Sequence, residues 1–231
     1  MRLPFTRYGM PQVVVYPLLI LVLLLVIFII FWPASVLIPI GIVLFLVFIW
    51  MLSFFRDPAR SISIDENVLL SPADGTITDI VQVNANFVCD DSSLGEKALL
   101  IGIFLSVFNV HINRFPCSVR IEKVDYKKGK FINAMSVDAS RINESNDILM
   151  TRLNDPKEKL LVRQISGAVA RKIVCKAKEA GEYRQGHAFG MIKFGSRTEL
   201  YIPMGEHFEV AVKIGDKVRA GLSPIVRYRN A

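Results

Sequence analysis

Between Tyr8 and Phe55 the chain carries no charged side chain, a run of 48 residues in a sequence of 231. As one straight helix this run would be roughly 70 Å long, more than twice a hydrocarbon core of about 30 Å, so it has to fold back on itself. The turn is expected at Trp32-Pro33-Ala34-Ser35, because proline disfavours helix continuation and the small residues suit a reversal. Two spans result, near Val13 to Phe31 and near Val36 to Phe55, each long enough to cross a bilayer. Pro17 and Pro39 are expected one turn inside these helices, where a missing N–H costs least. Arg2 and Arg7 precede the pair and Arg56 and Arg60 follow it, so both ends face the positive, cytoplasmic side of the cell (inner) membrane. Trp32, Trp50, Phe54 and Phe55 have the aromatic character of a membrane–water interface, Trp32 at the far one. A secretory signal is the competing reading, but the first span is too long and no small-residue cleavage site ends it.

The rest of the chain is of another kind. After Ser61 nearly every block of ten residues carries charge, which divides the sequence into an N-terminal transmembrane hairpin, residues 1–60, and a cytoplasmic domain, residues 61–231. Of the net charge of +7, the first 60 residues hold +3 (four Arg against one Asp) and the remainder +4 (24 basic against 20 acidic). That surplus suits a domain held beside anionic head groups; with no basic run interleaved with aromatics it does not point to nucleic acid. Cys89, Cys117 and Cys175 are odd in number and widely spaced, as reduced, buried thiols would be, and they suggest no metal site.

Residues 61–231 read as β-structure. Segments 68–70, 76–83, 98–108, 119–124, 162–165, 173–175, 191–194, 199–202 and 208–212 are β-branched or aromatic runs separated by Gly, Pro, Asn and Asp. The polar interval 138–159 has neither a core pattern nor strong strand residues and reads as a loop or lid with room for a short helix. Ile214-Gly215-Asp216-Lys217-Val218-Arg219-Ala220-Gly221 looks like the G-D-x-V-x-x-G turn of biotinyl and lipoyl barrel-sandwich domains, and Ala73-Asp74-Gly75-Thr76-Ile77 repeats it in outline. The expected fold class is therefore mainly β, a barrel-sandwich or lipoyl-like domain with minor α, behind a two-helix transmembrane hairpin. Lys217 lies in the turn and not in the exposed hairpin where such domains carry a prosthetic group, which argues against a swinging arm.

Three stretches carry the chemistry. They are Ser71-Pro72-Ala73-Asp74-Gly75, then Phe104-Leu105-Ser106-Val107-Phe108-Asn109-Val110-His111-Ile112-Asn113-Arg114-Phe115-Pro116, then Met191-Ile192-Lys193-Phe194-Gly195-Ser196-Arg197. Serine is a weak nucleophile until a base takes its proton, and a neutral imidazole held by a carboxylate is the usual way to provide one. Asp74, His111 and Ser196 could form such a set. Read singly, Asp74 is equally a turn-former, His111 a satisfied histidine at a strand end, and Ser196 a bulge hydroxyl.

Together with Gly129-Lys130-Phe131-Ile132-Asn133-Ala134, these stretches resemble in residue, order and spacing the pyruvoyl-dependent phosphatidylserine decarboxylases, in the short form with an N-terminal membrane hairpin. Nearly the whole chain takes part. The resemblance implies a proenzyme that cuts itself between Gly195, the cleavage site, and Ser196, the nucleophile. The Ser196 hydroxyl attacks the Gly195 carbonyl, an ester replaces the amide, elimination leaves dehydroalanine, and loss of ammonia leaves a covalent pyruvoyl group. The products, 1–195 and 196–231, stay together as a heterodimer of fragments. The pyruvoyl group then serves as an electron sink for the amine of phosphatidylserine, drawn from the membrane lipid and released as phosphatidylethanolamine with carbon dioxide, and no metal is required.

The same resemblance implies catalytic roles for His111 and Asp74, while guanidinium geometry makes Arg114 and Arg197 candidates for the substrate's carboxylate or phosphate. The chain departs from the long-form pattern at Arg114, where those members carry a second histidine. Asn143-Glu144-Ser145-Asn146 likewise lacks the arginine of the family's N-E-R-N-like stretch. His187 and His207 are the remaining imidazoles. Two further readings stay open: the same chemistry on an ether-linked, archaetidylserine-type lipid, and a non-enzymatic membrane-anchored barrel-sandwich adaptor. A conventional serine hydrolase would need the G-x-S-x-G elbow, which is absent.

Overall fold

The computed structural model describes residues 5–30, 37–88, 94–136, 138–168, 172–193 and 196–229. The chain divides into two compact units, Met1–Ala59 and Arg60–Ala231.

In the first unit the uncharged run forms α1 (Met10–Ile30) and α2 (Leu37–Phe54). Neither helix has a polar stripe; apolar side chains such as Leu21, Ile29 and Val43 stand exposed around them. The Thr6 N–H donates to the Phe55 carbonyl at 2.9 Å, and Phe5 pairs antiparallel with Arg56, so the two outer ends lie together. α1 starts at Met10, earlier than the apolar count suggests, which puts Pro17 at its eighth position. Its missing N–H therefore falls in the helix interior and not in the first turn. Pro39, third in α2, does sit in the first turn. Phe54 and Phe55 are buried rather than presented at a surface: their rings meet edge to face at 5.1 Å, and Phe55 fills the space beside Gly9. The expected reversal at 32–35, with Trp32, lies outside the described residues. Over the described residues alone, no helix is long and apolar enough to cross a membrane.

The second unit is β-structure apart from α3 (Ala139–Ile142) and a short 3₁₀ turn. Its strands are β1 (Val68–Leu70), β2 (Gly75–Asn84), β3 (Lys97–Leu105), β4 (Ile112–Arg114), β5 (Val119–Lys127), β6 (Ser145–Arg152), β7 (Lys159–Ser166), β8 (Lys172–Cys175), β9 (Glu182–Tyr183), β10 (Ala188–Lys193), β11 (Ser196–Pro203), β12 (Phe208–Val210), β13 (Lys217–Val218) and β14 (Pro224–Tyr228). Eight of them form one sheet in the order β13-β2-β3-β11-β7-β6-β5-β9, while β1-β14-β12 and β4-β10-β8 form two sheets of three. Each of the nine expected runs contains a strand. Alternation along the long sheet sends Ile103, Val162 and Leu200 into the main core with Phe115 and Phe189, and Leu100, Leu161 and Tyr201 into a smaller cluster on the other face. The turn at 214–221 is present, with Gly215 and Gly221 at φ of +95° and +71°.

Interval 138–159 is met only in part: the short helix is there as α3, but the rest is not a loop, because β6 runs through it and is buried inside the long sheet. Its polar residues are matched across the strands: Asn146 donates to Gln164 Oε1 at 3.1 Å, and Asp147 accepts from Arg163 at 2.6 and 2.7 Å. Such pairs satisfy in the folded sheet what strand propensity counts against the isolated segment. A second correction concerns Arg60, expected as a membrane-flanking charge, which is buried in an ion pair within the β unit.

Candidate active site

β10 ends at Lys193 in a small sheet and β11 starts at Ser196 in the long one, so Lys193 and Ser196 stand on either side of a change of sheet. A second link makes the same crossing. β3, the partner of β11 through Ser196↔Leu105, ends at Leu105; β4, the partner of β10 through Ile112↔Met191, begins at Ile112. Residues 106–111 therefore bridge the same two sheets at the same end, and His111 is the last of them. Strand pairing alone brings His111 and Ser196 to one crossing, stitched by the Ile192 N–H to the His111 carbonyl at 3.4 Å. Gly195, the expected cleavage site, and Phe194 lie outside the described residues.

Ser196 is fully buried, with its backbone held in register by Leu105 on one side and Ser166 on the other. Its Oγ has no hydrogen-bond partner among the described residues, and neither has the Oγ of Ser166 directly opposite. Buried hydroxyls are normally paired, and leaving one unpaired costs about 1–3 kcal/mol. On the same face, Thr198 Oγ1 accepts from Asn113 Nδ2 at 3.0 Å, Asn113 Oδ1 from Gln164 Nε2 at 2.8 Å, and Gln164 in turn from Asn146. Sequence reasoning missed this amide chain; its only signals were Asn113 beside the histidine and polar residues at alternate positions 164 and 166.

His111 is also fully buried, with Nδ1 3.0 Å from the Asn109 carbonyl oxygen. A carbonyl only accepts, so the neutral ring carries its proton on Nδ1 and its lone pair on Nε2.

Asp74 is positioned from the other side. The Pro72 carbonyl accepts from the Arg114 N–H at 3.0 Å, which lays the 71–75 stretch on β4. Gly75 has no room for a side chain, because a Cβ there would fall 2.1 Å from the Phe104 carbonyl oxygen. The Asp74 carboxylate accepts two bonds from Arg60, at 2.7 and 2.8 Å, and one from the Ala220 N–H at 2.8 Å. Among the described residues its hydrogen bonds go to those two partners and not to His111. Nothing local in the sequence pointed to Arg60.

The two candidate arginines differ. Arg114 is buried and donates from Nη1 to the Gly186 carbonyl at 3.1 Å. Arg197 points to the opposite face of β11 from Ser196, since strand neighbours alternate. It donates to Glu199 Oε1 and meets Asp79 Oδ2, both at 2.7 Å. Burial works against its charge, but the two carboxylates outweigh burial and lift the guanidinium above its ordinary pKa. Glu199 also accepts from the Tyr201 hydroxyl at 2.5 Å and from Ser140. Arg197, Glu199, Tyr201, Met135 and Arg141 help to line a cavity of about 690 Å³. His187 is exposed with its ring near Tyr183, and His207 is held by Glu158 at 2.9 Å.

Residues 47–226 match the family model for phosphatidylserine decarboxylase. The chain is 40% identical over 227 residues to the phosphatidylserine decarboxylase proenzyme of Rhodopirellula baltica, covering 98% of this chain and 89% of that protein. It is 42% identical over 189 residues to the proenzyme of the same name from Carboxydothermus hydrogenoformans, covering 82% and 84% of the two chains. With that of Wolbachia pipientis wMel it shares 43% identity over 168 residues, 73% of this chain and 71% of the other.

Proposed function

This chain belongs to the phosphatidylserine decarboxylase family, and on that premise we propose how its residues perform the reaction. It is a carboxy-lyase that converts phosphatidylserine to phosphatidylethanolamine and carbon dioxide in phospholipid synthesis. Its electrophile is a pyruvoyl group made from Ser196.

The observation that carries the residue assignment is the buried Ser196 hydroxyl, uncommitted among the described residues at the start of a strand paired on both sides. Oγ attacks the Gly195 carbonyl carbon while His111, through Nε2, takes its proton and hands it to the departing amide nitrogen; the C–N bond breaks as the ester C–O bond forms. Loss of the residue 196 Cα proton then expels residue 195 as a carboxylate, and addition of water with release of ammonia leaves the pyruvoyl group. That group supplies a carbonyl that condenses with the lipid amine and takes up the electron pair released with carbon dioxide. Burial of both Ser196 and His111 keeps bulk water from competing with the Ser196 hydroxyl for the Gly195 carbonyl, and water is consumed only after the chain has parted. The Arg60–Asp74 pair fixes the 71–75 stretch against β4, and so supports the strand that follows His111. Arg114, on β4 itself, is the better placed arginine for the acidic head group, since Arg197 already serves two carboxylates.

Residues 1–60 anchor the enzyme in the cell membrane with its catalytic unit on the cytoplasmic face. The support for this is the uncharged run, which continues past the described residues of both helices, together with Arg2, Arg7 and Arg56 at its ends. A diacyl lipid does not leave a bilayer readily, so an enzyme held at the interface meets its substrate there. The turn at 214–221 supports the barrel-sandwich kinship of the β unit.

Intact-mass measurement tests the proposal. The purified protein should consist of fragments 1–195 and 196–231, the shorter one blocked at its N-terminus, and Ser196→Ala should remain one chain of 26.0 kDa. A Ser196→Ala protein cut at the same bond would refute the mechanism.

A further inference from the structure

The described backbone of 130–136 and 138–143 closes at its two ends. Lys130 N–H donates to the Ile142 carbonyl at 2.7 Å, and Glu144 N–H to the Lys130 carbonyl at 3.0 Å. The Asn143 side chain exchanges two bonds of 2.9 Å with the Ile132 backbone and donates a third, of 2.7 Å, to the Ser166 carbonyl. Gly129 lies so close to this closure that a Cβ there would stand 2.4 Å from the Asn143 carbonyl carbon. Ala134 and Ala139 are buried inside. The result is a compact Ω-loop with its ends tied.

The outer surface of this loop is unusual for one so well held. Phe131, Met135 and Ile142 are 37%, 61% and 37% exposed, where a loop facing water would carry polar tips. Around them stand Lys128, Lys130 and Arg141 against a single acid, Asp138, between residues 128 and 142, while Lys127 is paired with Asp147 at 3.1 Å. Lys128, Lys130 and Arg141 are exposed. Apolar tips ringed by cations match a surface that is anionic outside and apolar just beneath, which is an anionic bilayer.

We propose that the 130–142 loop is a membrane-docking element: Phe131, Met135 and Ile142 enter the interfacial layer of an anionic bilayer while Lys128, Lys130 and Arg141 lie against its phosphates. The inference rests on the reading that the substrate is a membrane lipid. It adds the place where the β unit meets that membrane. The loop is built on Ser166, the strand partner of Ser196, and its Met135, Ser140 and Arg141 line the cavity on the far face of β11. Docking there would open that cavity toward the lipid.

The full chain is reconstituted into vesicles of phosphatidylcholine with or without phosphatidylglycerol, an anionic lipid whose head group has no amine. Phe131→Trp reports depth through quenching by lipids brominated on their acyl chains, read against the parent chain with its native Trp32 and Trp50. Quenching should exceed the parent's by about twofold or more in phosphatidylglycerol vesicles, and return to the parent level when Lys128→Glu and Lys130→Glu are added. Quenching equal to the parent's in both vesicles overturns the proposal, and leaves the loop to a protein partner. Independently, Phe131→Ser with Ile142→Ser should raise KM for phosphatidylserine in vesicles about tenfold, with kcat on detergent-dispersed substrate unchanged. An equal loss on both substrates also overturns it. Quenching needs no turnover, so an uncut, inactive chain that is still quenched refutes the decarboxylase reading alone, and an active chain that is not quenched refutes docking alone.

Discussion

Arg60 and Asp74 meet edge to edge, Nη1 to Oδ1 at 2.7 Å and Nη2 to Oδ2 at 2.8 Å, with side chains 6% and 10% exposed. A further bond of 2.5 Å from Arg60 Nη1 to the Ala220 carbonyl draws the start of the β unit, the turn before β2 and the turn ending at Gly221 to one point.

Arg60→Ala would leave the Asp74 carboxylate buried without its counter-charge, at a cost of about 3–5 kcal/mol. The expected outcome is a lower Tm with a parallel fall in the cut fraction. The double variant Arg60→Ala, Asp74→Ala should recover part of the lost Tm, because it removes the stranded charge. If Asp74→Asn slows cutting at unchanged Tm, Asp74 acts on the chemistry rather than on this junction.

Ser196→Ala removes a buried hydroxyl that has no partner among the described residues, so it gives up no bond and relieves a desolvation cost of about 1–3 kcal/mol. It should unfold at a denaturant midpoint no lower than that of the uncut precursor that still carries Ser196. A lower midpoint would show that the hydroxyl does hold a structural partner.

Lys193 and Lys172 face each other across β10 and β8. Burial first, and Lys172 second, depress the Lys193 pKa below its ordinary 10.5. The unfolded chain therefore binds more protons in the window between the depressed value and 10.5, and stability rises with pH through it. Lys172→Ala should raise stability at pH 7 by about 0.2–1 kcal/mol, the range for a cross-strand pair. The gain should shrink as pH approaches 10.5 and Lys193 loses its charge. Melting curves at the two pH values check both the sign and the trend.

Arg197→Ala would expose the opposite problem from a lost substrate contact. Glu199 is fully buried, and without Arg197 its charge is left underpaired at a cost of about 3–5 kcal/mol. A large drop in Tm is expected. Arg197→Lys should restore only part of it, since an ammonium cannot span Glu199 and Asp79 as the planar fork does. A raised KM at unchanged Tm would instead place Arg197 on the substrate.

What could be read in the chain beforehand was whatever repeats locally. Runs of β-branched and aromatic residues between turn residues revealed 162–165 and 199–202, and the absence of charge revealed α1 and α2. β6 escaped because its evidence is not local: Asn146 and Asp147 look like loop residues until Gln164 and Arg163 stand beside them. Arg60 escaped for the same reason, being 14 residues from Asp74 with no pattern linking them. Ser196 was legible only through its neighbours in three separated stretches, whose meeting at one crossing follows from the pairing of β3 with β11 and β4 with β10.

β11 lies in the interior of the eight-stranded sheet, paired with β3 along its whole length and with β7 over most of it. A break before Ser196 frees one end of this strand and leaves it clamped on both flanks. Once such a molecule is melted, its return is a second-order encounter between two polypeptides, so recovery should fall on dilution, whereas the uncut variant recovers at a rate independent of concentration. Maturation in this sense exchanges a unimolecular return for a bimolecular one: each copy first assembles while continuous, and a melted copy must afterwards find its missing strand again.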